Sequence, residues 1–237
     1  MSHRPLSVRR LVPAAMFLAT PLSIGCAVAP PPASTEDGAR AEYFQPATTA
    51  TPARNHGFRA MSVEEFELLK KSVLFTDEDA RYLRLSRSVL EPRVDELLDV
   101  WYGFVGSNEH LVYYFAHPET KTPDAAYLEQ VRARFRDWVL TTADANFDQA
   151  WLDRQLELGL RHHRLKKNET DGVDAVDHIP LRYLIALHYP ITTTLEPFLA
   201  SGGHSEEEVA AMHEAWRKAV LMTVILWSQP YVESGDF

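Results

Sequence analysis

Cysteine is almost missing: Cys26 is the only one in 237 residues. A disulfide framework, a multi-Cys zinc site and a Cys-x-x-Cys-His haem attachment each need at least two thiols, so all three are excluded. Positive charge is also scarce, with 24 Lys and Arg against 33 Asp and Glu, for a formal net charge of −9. Nucleic-acid binding rests on an excess of cations to neutralise phosphates, and this chain has the opposite balance. The sequence contains no G-x-S-x-G, H-E-x-x-H, P-loop or G-x-G-x-x-G, so the common hydrolase and nucleotide signatures are absent. Its carboxylates are spread along solvated faces, and no pair stands out as an acid/base couple. No alternating strand, Asn-Gly hairpin or internal repeat is visible.

The N-terminus is organised differently from the rest. Arg4, Arg9 and Arg10 precede a mostly apolar stretch over 11–25. That stretch is too short to span a bilayer as a helix but has the length of a signal-peptide core. "LSIGC" at 22–26 resembles a lipobox, with Ser23 where that motif has Leu. The expectation is a leader over 1–26 and a Pro/Ala/Thr-rich flexible tether over 27–57. It carries with it export to the periplasmic face and lipid anchoring through Cys26. The competing reading is a start at Met61, which gives a cytoplasmic protein.

From residue 58 the chain is apolar and aromatic at helical spacing. The whole chain is 46% hydrophobic and 11% aromatic, ample for a core. Ser62 with Glu65 forms a capping-box pattern ahead of a helix, and Pro92 marks a break between two periodic stretches. Leu128, Val131, Phe135 and Trp138 share one face of a helix over 124–142. Pro190 kinks a long apolar helix that Gly202-Gly203 ends. Ser205 caps a last helix with Val209, Met212, Trp216, Val220 and Trp227 on one side. These features predict one all-α domain of seven or eight helices over 58–237.

Chemistry is concentrated in three places: the adjacent His162 and His163 in "LELGLRHHRLKKN", the aromatic run "WYGFVG" at 101–106, and Phe115 and Phe135. An imidazole facing an aromatic-lined apolar pocket is what non-covalent haem b requires. The plain alternative is that the aromatics are core and the histidines helix-end cations of a haem-free helical adaptor. Spacing leaves the two histidines unresolved. Leu152, Leu156, Leu160 and His163 form one stripe, and Trp151, Leu158 and His162 form another. The lean from spacing alone is slightly toward His163.

"DVWYGFVGSNEHLVYYF" (99–115), "QAWLDRQLELGLRHHRLKKNETDGVDAV" (149–176), "HYPIT" (188–192) and "LWSQPYVESGDF" (226–237) closely resemble the protoglobins, single-domain relatives of the haem domain of globin-coupled sensors. The resemblance runs from about Phe58 to Phe237. It implies a globin-like three-over-three helical sandwich with an extra N-terminal helix near 62–73, and haem b on a five-coordinate iron held by His162. It also places Trp101, Tyr102, Phe115, Phe135 and Ile191 in the haem pocket. Leu187 stands where the best-known type of protoglobin has a phenylalanine, so a roomier pocket is expected. The implied function is reversible binding of O₂, CO and NO for gas sensing or scavenging. NO dioxygenation or detoxification of peroxide and reactive nitrogen is the enzymatic alternative. No His lies on the helix carrying Phe135, which leaves the Tyr102 hydroxyl and the Trp101 indole N–H as donors toward a bound gas. A sensor needs a separate signalling partner, and a homodimer is expected.

Overall fold

The computed structural model describes residues 56–237 apart from Ser234. The expected leader, Cys26 and nearly all of the tether lie outside these residues.

Eight α-helices account for most of the described chain. Helix α1 (Val63–Ser72) starts from Ser62, whose hydroxyl accepts the Glu65 N–H at 3.2 Å while Glu65 accepts the Ser62 N–H at 2.7 Å. Two of the four unpaired N–H groups of a helix start are thereby satisfied. Helix α2 (Asp77–Leu90) has the same reciprocal cap between Thr76 and Asp79. It ends in a 3-10 turn, Glu91–Arg93, because Pro92 has no N–H to continue the ladder. Helix α3 (Val94–Gly106) and the short α4 (Glu109–Val112) follow, then a 3-10 turn over Tyr113–Phe115. Asp124 caps α5 (Ala125–Ala143), and Asp148 caps α6 (Gln149–Leu160). Helix α7 (Leu181–Ala200) runs through Pro190 and Pro197 as one element. Ser205 and Glu208 cap α8 (Glu206–Ser228) reciprocally.

Helix α8 packs against α7, α2 and α6, while α5 lies on α2 and α3, and α3 also meets α7. Trp216 of α8 is fully buried among Leu83, Leu90, Leu98, Leu195 and Met212. Its indole N–H donates to Ser86 Oγ at 2.9 Å, so the large ring is buried without an unpaired donor. Burying each such side chain contributes about 1.5–3 kcal/mol. Among the described residues no helix is long and apolar enough to cross a membrane.

Helix α6 stops at Leu160, so the histidine pair and the basic run lie beyond it rather than in its last turn. Arg161 is the C-cap, and Arg161 and Lys166 both pair with Glu157, at 2.9 and 2.6 Å. The stretch from Arg161 to Pro180 has no regular helix. It is fastened by the Ile179 N–H to His162 O at 3.0 Å, by the Val176 N–H to Ala116 O at 3.0 Å, and by the Tyr231 hydroxyl to Ile179 O at 2.8 Å.

Candidate functional site

Between α3, α5, α6, α7 and α8 lies a cavity of about 1260 Å³, counting the part open to solvent. Trp101 and Tyr102 reach it from α3, Phe115 from the 3-10 turn, Phe135 from α5, and Leu187 and Ile191 from α7. His162 completes this set on the wall formed by the start of the segment after α6. All seven expected site residues therefore line a single cavity.

The aromatic wall is an edge-to-face lattice. Phe135 sits 5.8 Å from Trp101 and 6.4 Å from Tyr102 between ring centroids, both nearly perpendicular, and 5.3 Å from Trp138. Edge-to-face contacts satisfy the ring quadrupoles and hold a rigid apolar surface. Burial raises the Tyr102 phenol above its ordinary value, so its hydroxyl keeps its proton and remains a donor.

His162 is anchored by its backbone and its ring. Its N–H donates to Gly159 O at 3.0 Å, and its Nδ1 lies 2.7 Å from Leu158 O. A carbonyl oxygen only accepts, so Nδ1 carries the proton and Nε2 is left with a free lone pair. Burial lowers its pKa to about 4, which keeps the ring neutral at physiological pH. What accessible surface the ring retains belongs to the cavity wall.

His163 goes elsewhere. Its ring meets His178 and Tyr231 edge-on, each at 5.0 Å, and its Nδ1 accepts the Leu165 N–H at 3.3 Å. It takes no part in the cavity wall. The lean toward His163 extended the stripe of Leu152, Leu156 and Leu160 past a helix that has already ended.

Sequence reasoning missed the polar edge of the cavity. Lys167 looked like a surface cation, yet it is 1% exposed and lines the cavity. Its Nζ donates to Val176 O at 2.5 Å and lies 5.2 Å over the Tyr127 ring, and burial lowers its pKa to about 8. Arg134 lines the same edge in a two-bond pair with Asp171, at 2.8 and 2.6 Å, and Arg161 is close by in the wall. The one available signal was Arg134 directly before Phe135, a cation flanking the apolar face. Nothing in "LKKN" marks Lys167 as buried.

Chemically, the site is an aromatic-walled apolar slot with one unprotonated imidazole nitrogen and a polar edge of Lys167 and the Arg134–Asp171 pair. Among the described residues no three His, Cys, Asp or Glu side chains gather where they could hold a bare metal ion. The donor set fits a metal enclosed in an organic, carboxylate-bearing macrocycle.

Comparison with known proteins places this architecture. The solved globin domain of a globin-coupled sensor from Geobacter sulfurreducens is similar at a TM-score of 0.56 and 17% identity, covering 74% of this chain and 100% of that one. The likeness establishes the fold as a globin-like three-over-three helical sandwich, with α1 as the extra N-terminal helix. No curated protein matches the chain. The protoglobin family profile matches residues 62–237, which include all eight helices and every residue of the cavity wall, and the chain belongs to the protoglobin family.

Proposed function

We propose that the protein is a haem b-binding globin that reversibly binds O₂, CO and NO, with His162 as the proximal ligand of a five-coordinate iron, and serves in gas sensing or scavenging. The observation that carries this reading is a single neutral imidazole, with Nε2 unprotonated, in the wall of a large aromatic-lined cavity. A neutral imidazole nitrogen is the form that coordinates a metal. Haem b, when bound, supplies iron that coordinates small diatomic molecules reversibly.

The chain's own residues do the rest. Trp101, Tyr102, Phe115, Phe135 and Ile191 form the apolar walls that exclude water, and water exclusion protects ferrous iron from oxidation. The Tyr102 hydroxyl and the Trp101 indole N–H are donors in the cavity wall for a polar diatomic ligand. Leu187 leaves more room than a phenylalanine would. Lys167, with Arg134 in its pair with Asp171 and Arg161 in its pair with Glu157, supplies the polar edge available to the macrocycle's carboxylates.

Reconstitution with haem tests this reading. Wild-type protein and His163→Ala should both give a Soret band that shifts with CO, and His162→Ala should not. A wild-type protein without a Soret band, or an unaltered band in His162→Ala, sinks the assignment.

The same reading includes a homodimer. Ile185 and Tyr189 on α7 and Leu221 on α8 are 57%, 75% and 40% exposed on two helices packed together. Sedimentation velocity with Tyr189→Glu checks it: an unchanged monomeric boundary in wild type removes the dimer. Lipid anchoring through Cys26 is part of the proposal on the leader pattern alone, and membrane fractionation of Cys26→Ala decides it.

A further inference from the structure

We propose that Trp227 is the positioning residue of the site: its indole, locked by Gln155 and admitted by Gly159, holds the His162 ring in one orientation before any cofactor arrives. The proposal rests on His162 being the working side chain of the cavity.

The His162 hydrogen bond to Leu158 O fixes one ring nitrogen but leaves the ring free to rock about that contact. Terminal ring torsions have broad, roughly two-fold preferences, so one bond does not define the imidazole plane. A second constraint is present. The Trp227 indole stacks on the imidazole with centroids 4.6 Å apart and planes 26° from parallel. A tethered nitrogen and a stacked face together determine the plane, which leaves Nε2 for the cavity.

Trp227 is itself held on three sides. Its Nε1–H donates to Gln155 Oε1 at 2.9 Å, and Gln155 is fully buried one helical turn before Gly159. Its ring also meets Trp138, tilted by 57° with centroids 5.9 Å apart. Beneath it, a Cβ added at Gly159 would lie 2.9 Å from Trp227 Cα and 3.1 Å from Trp227 O. Helices α6 and α8 approach this closely only because residue 159 lacks a side chain.

Gln155 satisfies the indole N–H as Ser86 does for Trp216, but at a further cost. The buried amide supplies one acceptor to the indole while its own Nε2 has no partner among the described residues. An unsatisfied buried donor is a standing cost, and the orientation of Trp227 is what it maintains. Gln155, Gly159 and His162 lie on one short stretch that ends α6, so a single helix terminus carries the ligand and both supports of its positioning ring.

The test needs no cofactor. In haem-free full-length protein with ¹⁵N-labelled histidine, long-range ¹H–¹⁵N correlation should show His162 as one Nδ1–H tautomer. Gln155→Leu and Trp227→Leu should merge its two nitrogen shifts toward an average. Trp227→Phe, which keeps a flat ring, should show less averaging than Trp227→Leu, and Gln155→Glu, which keeps an acceptor, should restore the wild-type pattern. Near-ultraviolet circular dichroism establishes that each variant is folded; where Trp227→Leu is not, Gln155→Leu and Trp227→Phe decide. A folded Gln155→Leu with His162 still in one sharp tautomer overturns the proposal, and so does averaging in wild type. In haem-loaded ferrous protein, Gln155→Leu should shift or broaden the iron–histidine stretching band in resonance Raman and hasten haem loss on the order of 10-fold. A wild type lacking that band sinks the haem reading while the haem-free spectra still decide the role of Trp227.

Discussion

Lys167 donates to the carbonyl oxygen of Val176 at 2.5 Å from a position 1% exposed, at the edge of the cavity. The Val176 carbonyl, a longer contact to Asn168 Oδ1 at 3.5 Å, the Tyr127 face and the fields of Asp177 and Asp171 compensate the buried ammonium only in part, so burial lowers its pKa to about 8. The unfolded chain holds this proton up to its ordinary pKa of 10.5. Between about 8 and 10.5 the unfolded state therefore binds more protons, and stability contributed by this residue rises with pH across that window. Below pH 8 both states are charged and the penalty is constant, of order 3 kcal/mol before relaxation and water entry reduce it. Chemical denaturation of haem-free protein should show the rise from pH 8 to 10 in wild type and its loss in Lys167→Met. The same variant should be more stable than wild type at pH 7 by about 1–2 kcal/mol. It should also surrender haem faster to a competing globin, having lost a cation from the carboxylate edge.

His163→Ala separates the two histidines. His163 packs against His178 and Tyr231 outside the cavity wall, so its removal should cost about 1 kcal/mol of stability. Haem uptake and the CO-shifted Soret band should remain as in wild type. Loss of the band together with retained helical circular dichroism would reassign the ligand.

Leu187→Phe places a larger ring in a cavity with room for it. Stability of the haem-free protein should change by less than about 1.5 kcal/mol, because unfilled space accepts the added volume. Flash photolysis of the CO complex should show slower rebinding from solvent, because the same ring narrows the approach. Unchanged rebinding would mean that gas enters from another side.

Two glycines in helices should respond in opposite directions. Gly159→Ala gains up to about 1 kcal/mol of helix propensity but meets the Trp227 backbone, where overpacking costs about 1–3 kcal/mol, so a net loss is expected. Gly103→Ala in α3 meets nothing within 4 Å and should stabilise by about 0.5–1 kcal/mol. Thermal unfolding of the two single variants side by side measures both signs.

Helix identity was legible in the sequence because caps and periodicity act locally. Ser62, Ser205 and Pro92 each sit where their chemistry predicts a start or a break, and Phe135 and Trp138 share a face as their spacing requires. The choice between His162 and His163 was not legible from spacing. It depends on α6 ending at Leu160, after which each residue points where the turn sends it. Lys167 was hidden for a different reason: a lysine in a basic run looks solvated until Val176, nine residues later, folds back over it. Trp227 was placed on the core-facing side of the last helix, but its contact with His162 joins residues 65 positions apart. Local periodicity carries no information about such a contact.

The non-helical stretch from Arg161 to Pro180 closes one side of the cavity; most of its backbone bonds are local turns, with Val176 to Ala116 reaching another segment and Ile179 to His162 closing the loop. A segment without a continuous helical ladder opens by local fluctuation more often than the helices around it unfold. Cofactor exchange would then be governed by the free energy of this strap alone. Amide hydrogen exchange at Ile179 and Val176 would report that energy directly, and a mutation that leaves the melting temperature untouched could still change how long the pocket keeps its guest.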